Sequence, residues 1–155
     1  MKKVLVPVVL IVLVIPTASI FAACTELTKA QEHSNAGVCL YDQGNYEEAI
    51  TEYNEAIWLD PNMTIAYDNR GWVYYETGQY DLAIADYYKA IDLNPNDALF
   101  YTNRAIAYDM NGQETEAQQD IDRAVALGWD RAALEQCSLF NSNVYTCVSD
   151  AKFGG

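Results

Sequence analysis

The chain has 155 residues, 51% hydrophobic and 20% charged, which is enough apolar material for one packed domain and too much for a disordered chain. Asp and Glu number 22 against 9 Lys and Arg, a formal net charge of −13 that repels a phosphate backbone and excludes non-specific nucleic-acid binding. One histidine and four scattered cysteines leave little from which to build a zinc centre or a histidine-based triad.

The first element is an address. Lys2 and Lys3 precede an uncharged run from Val4 to Ala23 that contains Pro7 and Pro16. A helix over this run, rising about 1.5 Å per residue, reaches roughly the 30 Å of a bilayer core. The same residues also read as an export signal, with a basic start, an apolar middle from Val4 to Ile15 and a small-residue exit. That exit, Ile20-Phe21-Ala22-Ala23-Cys24, resembles the lipobox of bacterial lipoproteins, with Phe21 where that family usually has Leu. The resemblance implies a lipid on Cys24 and, with Thr25 following, an outer-membrane destination where the source has an outer membrane. Three readings stand side by side: lipidation at Cys24, cleavage nearby and secretion, or a retained anchor. All treat residues 1–23 as signal or anchor and place residues 24–155 outside the cytoplasm.

A step of 34 organises the body of the chain. Gly44, Gly78 and Gly112 keep it, as do Ala49, Ala83 and Ala117; Ala56, Ala90 and Ala124; and Leu59, Leu93 and Leu127. Pro61 and Pro95 share the step, with Trp129 in the third slot. Each copy holds two stretches of helical apolar period parted by a glycine turn, and the spacing predicts helices near 28–43, 46–59, 64–77, 80–93, 98–111 and 114–127. Glycine at 44, 78 and 112 supplies the left-handed conformation that ends a helix, and proline after the second helix of a copy stops it. Glu114 and Gln118 stand where earlier copies have Tyr46/Tyr80 and Ile50/Ile84, as expected of an end copy with a wetter outer face.

These residues resemble the tetratricopeptide repeat. The copies are 30–63, 64–97 and 98–131. The first offers His33, Gly37, Leu40, Ala49, Tyr53, Ala56 and Pro61. The second offers Tyr67, Gly71, Tyr74, Ala83, Tyr87, Ala90 and Pro95, and the third Tyr101, Ala105, Tyr108, Ala117, Ile121 and Ala124 without the proline. The resemblance implies an all-α fold, a right-handed superhelical stack of three helix-turn-helix repeats within residues 24–131, closed by a short C-terminal cap over 132–155. In that cap Cys137 and Cys147 lie ten residues apart. In an exported chain they are expected to form a disulfide worth roughly 2–4 kcal/mol, with two free thiols as the alternative. Cys39, in register with Val73 and Ala107, is expected to be a small buried apolar residue.

No phosphate loop, nucleophile elbow, zinc-protease motif or paired-cysteine motif occurs, so neither an enzyme nor a cofactor or metal site is expected. His33 occupies a bulky packing position, and Glu47, Glu48, Glu52 and Glu55 read as a solvated helix face. The family geometry implies that first helices line a concave groove. In this chain that selects Ser34, Asn35, Val38, Tyr41 and Asp42; then Ile65, Asp68, Asn69, Trp72, Tyr75 and Glu76; then Leu99, Thr102, Asn103, Ile106, Asp109 and Met110.

Within that set Asn35, Asn69 and Asn103 form a ladder of amides. They are able to pair with an extended peptide backbone or, alternatively, to bridge neighbouring helices. Tyr41, Trp72, Tyr75 and Ile106 add apolar area, and Asp68 joins Asp42, Glu76 and Asp109 in favouring a basic or mixed segment with apolar anchors. The slots that grip a C-terminal carboxylate in the chaperone-binding branch hold Ser34, Val38, Leu99 and Asn103, none of them basic. Arg70 and Arg104 are expected to pair with Asp86 and Asp120. The reading is a non-catalytic interaction scaffold, membrane-tethered or secreted. The alternative is a structural subunit of an envelope or secretion assembly that uses outer faces or edges. Asn62-Met63-Thr64 is a glycosylation sequon, relevant where exported proteins are glycosylated.

Overall fold

Six helices in three antiparallel hairpins carry the period into space: α1 Thr17–Asp42, α2 Tyr46–Leu59, α3 Thr64–Glu76, α4 Tyr80–Leu93, α5 Ala98–Met110 and α6 Glu114–Ala126. The computed structural model describes residues 17–130, and no strand occurs among them. Five of the six helices agree with the sequence expectation to within a residue. The exception is α1, which starts at Thr17 rather than near residue 28. No glycine or proline stands between Thr17 and Gly37, so nothing in the chain halts the helix before that point. Ala22, Ala23 and Cys24 therefore lie within α1. No helix of the described residues is long and apolar enough to cross a membrane. The capping segment and the expected Cys137–Cys147 pairing lie outside the described residues.

Two different devices end the helices. At the hairpin turns the chain reverses through glycine: Gly78 has φ +74°, and the next N–H, of Gln79, donates back to Tyr74 O at 2.8 Å. At the ends of α2 and α4 the chain leaves through extended Asp60 (φ −135°, ψ 92°) and Asn94 (φ −142°, ψ 84°). Each precedes a proline, whose ring bars the helical region to its neighbour. The third copy lacks that proline and uses the glycine device instead. Gly128 sits at φ +101° and Trp129 N–H donates to Ala124 O at 3.1 Å.

Each hairpin closes on a small residue facing a large one. A Cβ at Gly37 would stand 2.6 Å from the Tyr53 ring, and one at Gly71 would stand 3.0 Å from the Tyr87 ring. Both tyrosines are buried. The same repeat positions in the third copy hold Ala105 and Ile121: the extra methyl appears where the ring has gone. Hairpins then stack. Tyr67, Ala90, Ile91, Phe100, Tyr101 and Ala124 form one core between the second and third copies. Ala49, Tyr53 and Val73 join the first copy to the second.

The stack has ends, and they correct one expectation. Val73 and Ala107 are fully buried because a preceding hairpin covers them. Cys39 holds the same place in the first copy and is exposed, because no hairpin precedes it among the described residues. At the other end Glu114 and Gln118 are exposed.

Replacing Gly37 with alanine tests the hairpin closure. Helix propensity favours alanine by about 1 kcal/mol, while forcing a methyl into a closed core costs about 1–3 kcal/mol. With the ring 2.6 Å away the clash wins. Urea unfolding should show Gly37→Ala destabilised, and the added Tyr53→Ile, which gives the third copy's own combination, should restore part of the loss. Equal stability of Gly37→Ala and the parent would contradict it.

Candidate functional site

The first helices of the hairpins, α1, α3 and α5, carry the predicted groove positions, and several of the polar groups there are already engaged between copies. Arg70 leans toward its own hairpin partner, where Nε and Nη2 donate to Asp86 Oδ2 at 2.7 Å and Oδ1 at 2.6 Å. One period later Arg104 repeats the fork on Asp120, both bonds at 2.7 Å. The pairing expected from sequence is thus present twice. A planar guanidinium on a carboxylate satisfies both groups in a buried setting, where a lone charge would be costly. Burial depresses the Arg104 guanidinium, but Asp120 outweighs it and holds the group above its ordinary value. The Tyr88 ring lies 4.0 Å from the same guanidinium carbon, and Tyr88 and Tyr108 share a hydroxyl bond of 2.8 Å.

The first copy has Ala36 where an arginine would stand, and its acid finds another partner: His33 Nδ1 donates to Glu52 Oε2 at 2.6 Å. His33, expected as a packing residue, is half-buried and holds Glu52.

The predicted groove residues divide into two groups. Asn35 is exposed and accepts from Gln31 Nε2 at 2.9 Å; Asn69, Tyr41, Tyr75 and Ile106 are half-buried. Trp72 is buried, its ring 5.1 Å from that of Tyr75 and its indole N–H donating to Tyr41 Oη at 2.8 Å. The tryptophan therefore ties α1 to α3. Asn103 is also buried: its Nδ2 donates to Asp68 Oδ1 at 2.8 Å, joining α3 to α5. The amide ladder is graded from open to closed along the stack. Thr102 and Ser34, at Asp68's repeat position, are buried too.

Beside the Asn35 amide, the predicted groove positions that stay open are apolar and acidic. Val38, Ile65 and Met110 are exposed, as are Asp42, Glu76 and Asp109. No predicted groove position carries Lys or Arg.

Sequence reasoning missed two features. The Asp68–Asn103 bond spans one repeat plus one residue, a spacing that could have been sought as an acid preceding a ladder asparagine one copy earlier. Trp58 is 75% exposed on α2, at a repeat position where the later copies hold exposed Asp92 and Ala126; the break in period was the available signal.

Residues 37–78 and 71–112 match a family model described as TPR repeat. No curated protein matches the chain. Among solved structures the chain is similar to the second TPR of Spaghetti (RPAP3) bound to HSP90 peptide SRMEEVD, at 26% identity and a TM-score of 0.66, over 69% of this chain and 98% of that one. It is similar to MamA at 28% identity and a TM-score of 0.63, over 65% of this chain and 59% of that one. The N-terminal domain of stress-induced protein-1 from C. elegans shares the fold at 21% identity and a TM-score of 0.67, over 76% of this chain and 98% of that one.

Burial pushes the Asp68 carboxyl up from 3.8 to about 6; the Asn103 bond opposes this and the charge of Asp97 adds to it. The native chain therefore holds this proton more tightly than the unfolded chain does. The contribution of Asp68 to stability grows as pH falls through 6 and is complete below 3.8. Between pH 7 and pH 4.5 the parent should gain about 2 kcal/mol relative to Asp68→Asn in denaturant unfolding. Parallel pH profiles for the two proteins would contradict the placement of Asp68.

Proposed function

The chain carries tetratricopeptide repeats over residues 37–112, and from that premise we propose that it is a non-catalytic protein-interaction scaffold that seats a protein segment on its concave face. The observation that carries this reading is the open part of that face: Val38, Ile65 and Met110 exposed beside Asp42, Glu76 and Asp109, with half-buried Asn69 between them in the sequence of the stack. Large apolar side chains left in water on a concave surface, rimmed by one sign of charge, are features of a binding site. The similarity to a TPR structure that holds a peptide supports the same use of the fold.

The ligand differs in charge from the acidic peptide in that structure. Ser34, Val38, Leu99 and Asn103 provide no cation for a carboxylate, while the acidic rim attracts a basic or mixed segment with apolar anchors. The leader supports an extracytoplasmic location, with the scaffold tethered through a lipid on Cys24 or through the N-terminal run, or secreted after cleavage. A second reading has its own observation. Trp58, 75% exposed on a second helix, favours contact through an outer face, as a structural subunit of an envelope or secretion assembly would make.

Crosslinking pull-down from membranes separates the two. Asn69→Ala combined with Ile65→Asp should reduce partner recovery about tenfold or more, the scale of a lost hot spot, while Trp58→Ala leaves it unchanged. Loss with Trp58→Ala alone would move the function to the outer face. Cys24→Ala should release the chain from the membrane fraction where the tether is a lipid.

A further inference from the structure

Three carboxylates are buried among the described residues: Asp68, Asp86 and Asp120. Two of them hold an arginine in a two-bonded fork. Asp68, 1% exposed, holds only the amide of Asn103, and the charge that acts on it is that of another acid, Asp97. The amide is itself incomplete. Asn103 is 2% exposed, its nitrogen is spent on Asp68, and its Oδ1 has no hydrogen-bond partner. A buried charge without a counter-charge and a buried acceptor without a donor are both costly, and here they sit side by side. The fold does not demand them. Ser34 and Thr102 occupy the place of Asp68 in the flanking repeats and are buried there without charge.

One species supplies what both lack. A cationic side chain brings the positive charge for Asp68 and further N–H donors for Asn103 Oδ1. We propose that the Asp68–Asn103 pair is a subsite for a lysine or arginine side chain of the segment bound on the concave face. This rests on the groove reading above and names the side chain it recognises. Ile65 lies three residues before Asp68 on α3, and Ile106 three residues after Asn103 on α5. Residues so spaced share a helix face, which puts an apolar side chain on the same face as each member of the pair for the methylene stem of a bound cation. The planar donor fork of arginine fits two oxygen acceptors better than a lysine ammonium does.

The test uses the full chain and n-butylguanidinium chloride, with n-butylammonium chloride as the second cation and n-pentanol and sodium chloride at matched strength as controls. NMR follows the Asp68 carboxyl carbon and the Asn103 side-chain amide. Butylguanidinium should shift the Asn103 amide saturably and lower the pH midpoint of Asp68 by about one, a tenfold weaker hold on its proton. Pentanol and salt should do neither. Asp68→Ser, which installs the first repeat's own residue, should melt at the same temperature as the parent or higher, and should lose the saturable response. The subsite is overturned by a response that survives in Asp68→Ser or by no saturable response at all. A carboxyl that titrates alike with and without cation overturns it too, since the pair is then completed by the proton of Asp68. The groove reading fails separately. If Ile65→Asp abolishes partner recovery while Asp68→Ser retains it in full, this inference alone falls. If recovery ignores the groove while Asp68 still answers the cation, the subsite outlives the groove reading.

Discussion

A helix pair of this length cannot hide its apolar side from water unaided, and the rest of the structure follows from that shortfall. Burial is borrowed from the next pair along. Val73 and Ala107 vanish beneath a preceding hairpin while Cys39, at the same repeat position, meets solvent. The middle copy, with a neighbour on each side, contributes to the cores on both of its faces through Val73 and Tyr67. Stacking by translation along one axis also decides what is left over. The first helix of each hairpin meets the first helix of the next.

Charge is sorted by the same repetition. Arg70 and Arg104 are drawn into forks with Asp86 and Asp120, and their positive charge is spent inside the hairpins. The predicted groove positions carry no Lys or Arg, so their acidity comes from where the cations went as well as from the number of acids. The first copy shows that the arrangement adapts. With alanine in the arginine's place, a histidine one turn earlier in α1 meets the corresponding acid.

The period of 34 made nearly all of the helix pattern readable, because glycine, alanine and proline each mark a backbone need that recurs with the hairpin. The start of α1 was not readable in that way, since the residues before Ala30 belong to no copy and only the lack of a helix breaker governs them. The positions that share one face of the first helices were readable too, but not the state of their side chains. Periodicity says that Asn35, Asn69 and Asn103 point the same way. It does not say that an acid on the first helix of the preceding copy claims one of them, because that contact depends on what stands at another repeat position. Trp72 illustrates the same limit: its indole N–H is taken by Tyr41 across the copies, so a residue selected as a binding anchor serves the stack.

The claim on which the functional account rests is that a partner lies against α1, α3 and α5 rather than against the second helices. Site-specific photocrosslinking in the native cell reads this directly, with a light-activated residue placed at Ile65 in one protein and at Trp58 in another. The account predicts a discrete, saturable adduct from position 65 and none from position 58. An adduct from position 58 alone would contradict it and assign the outer face as the working surface.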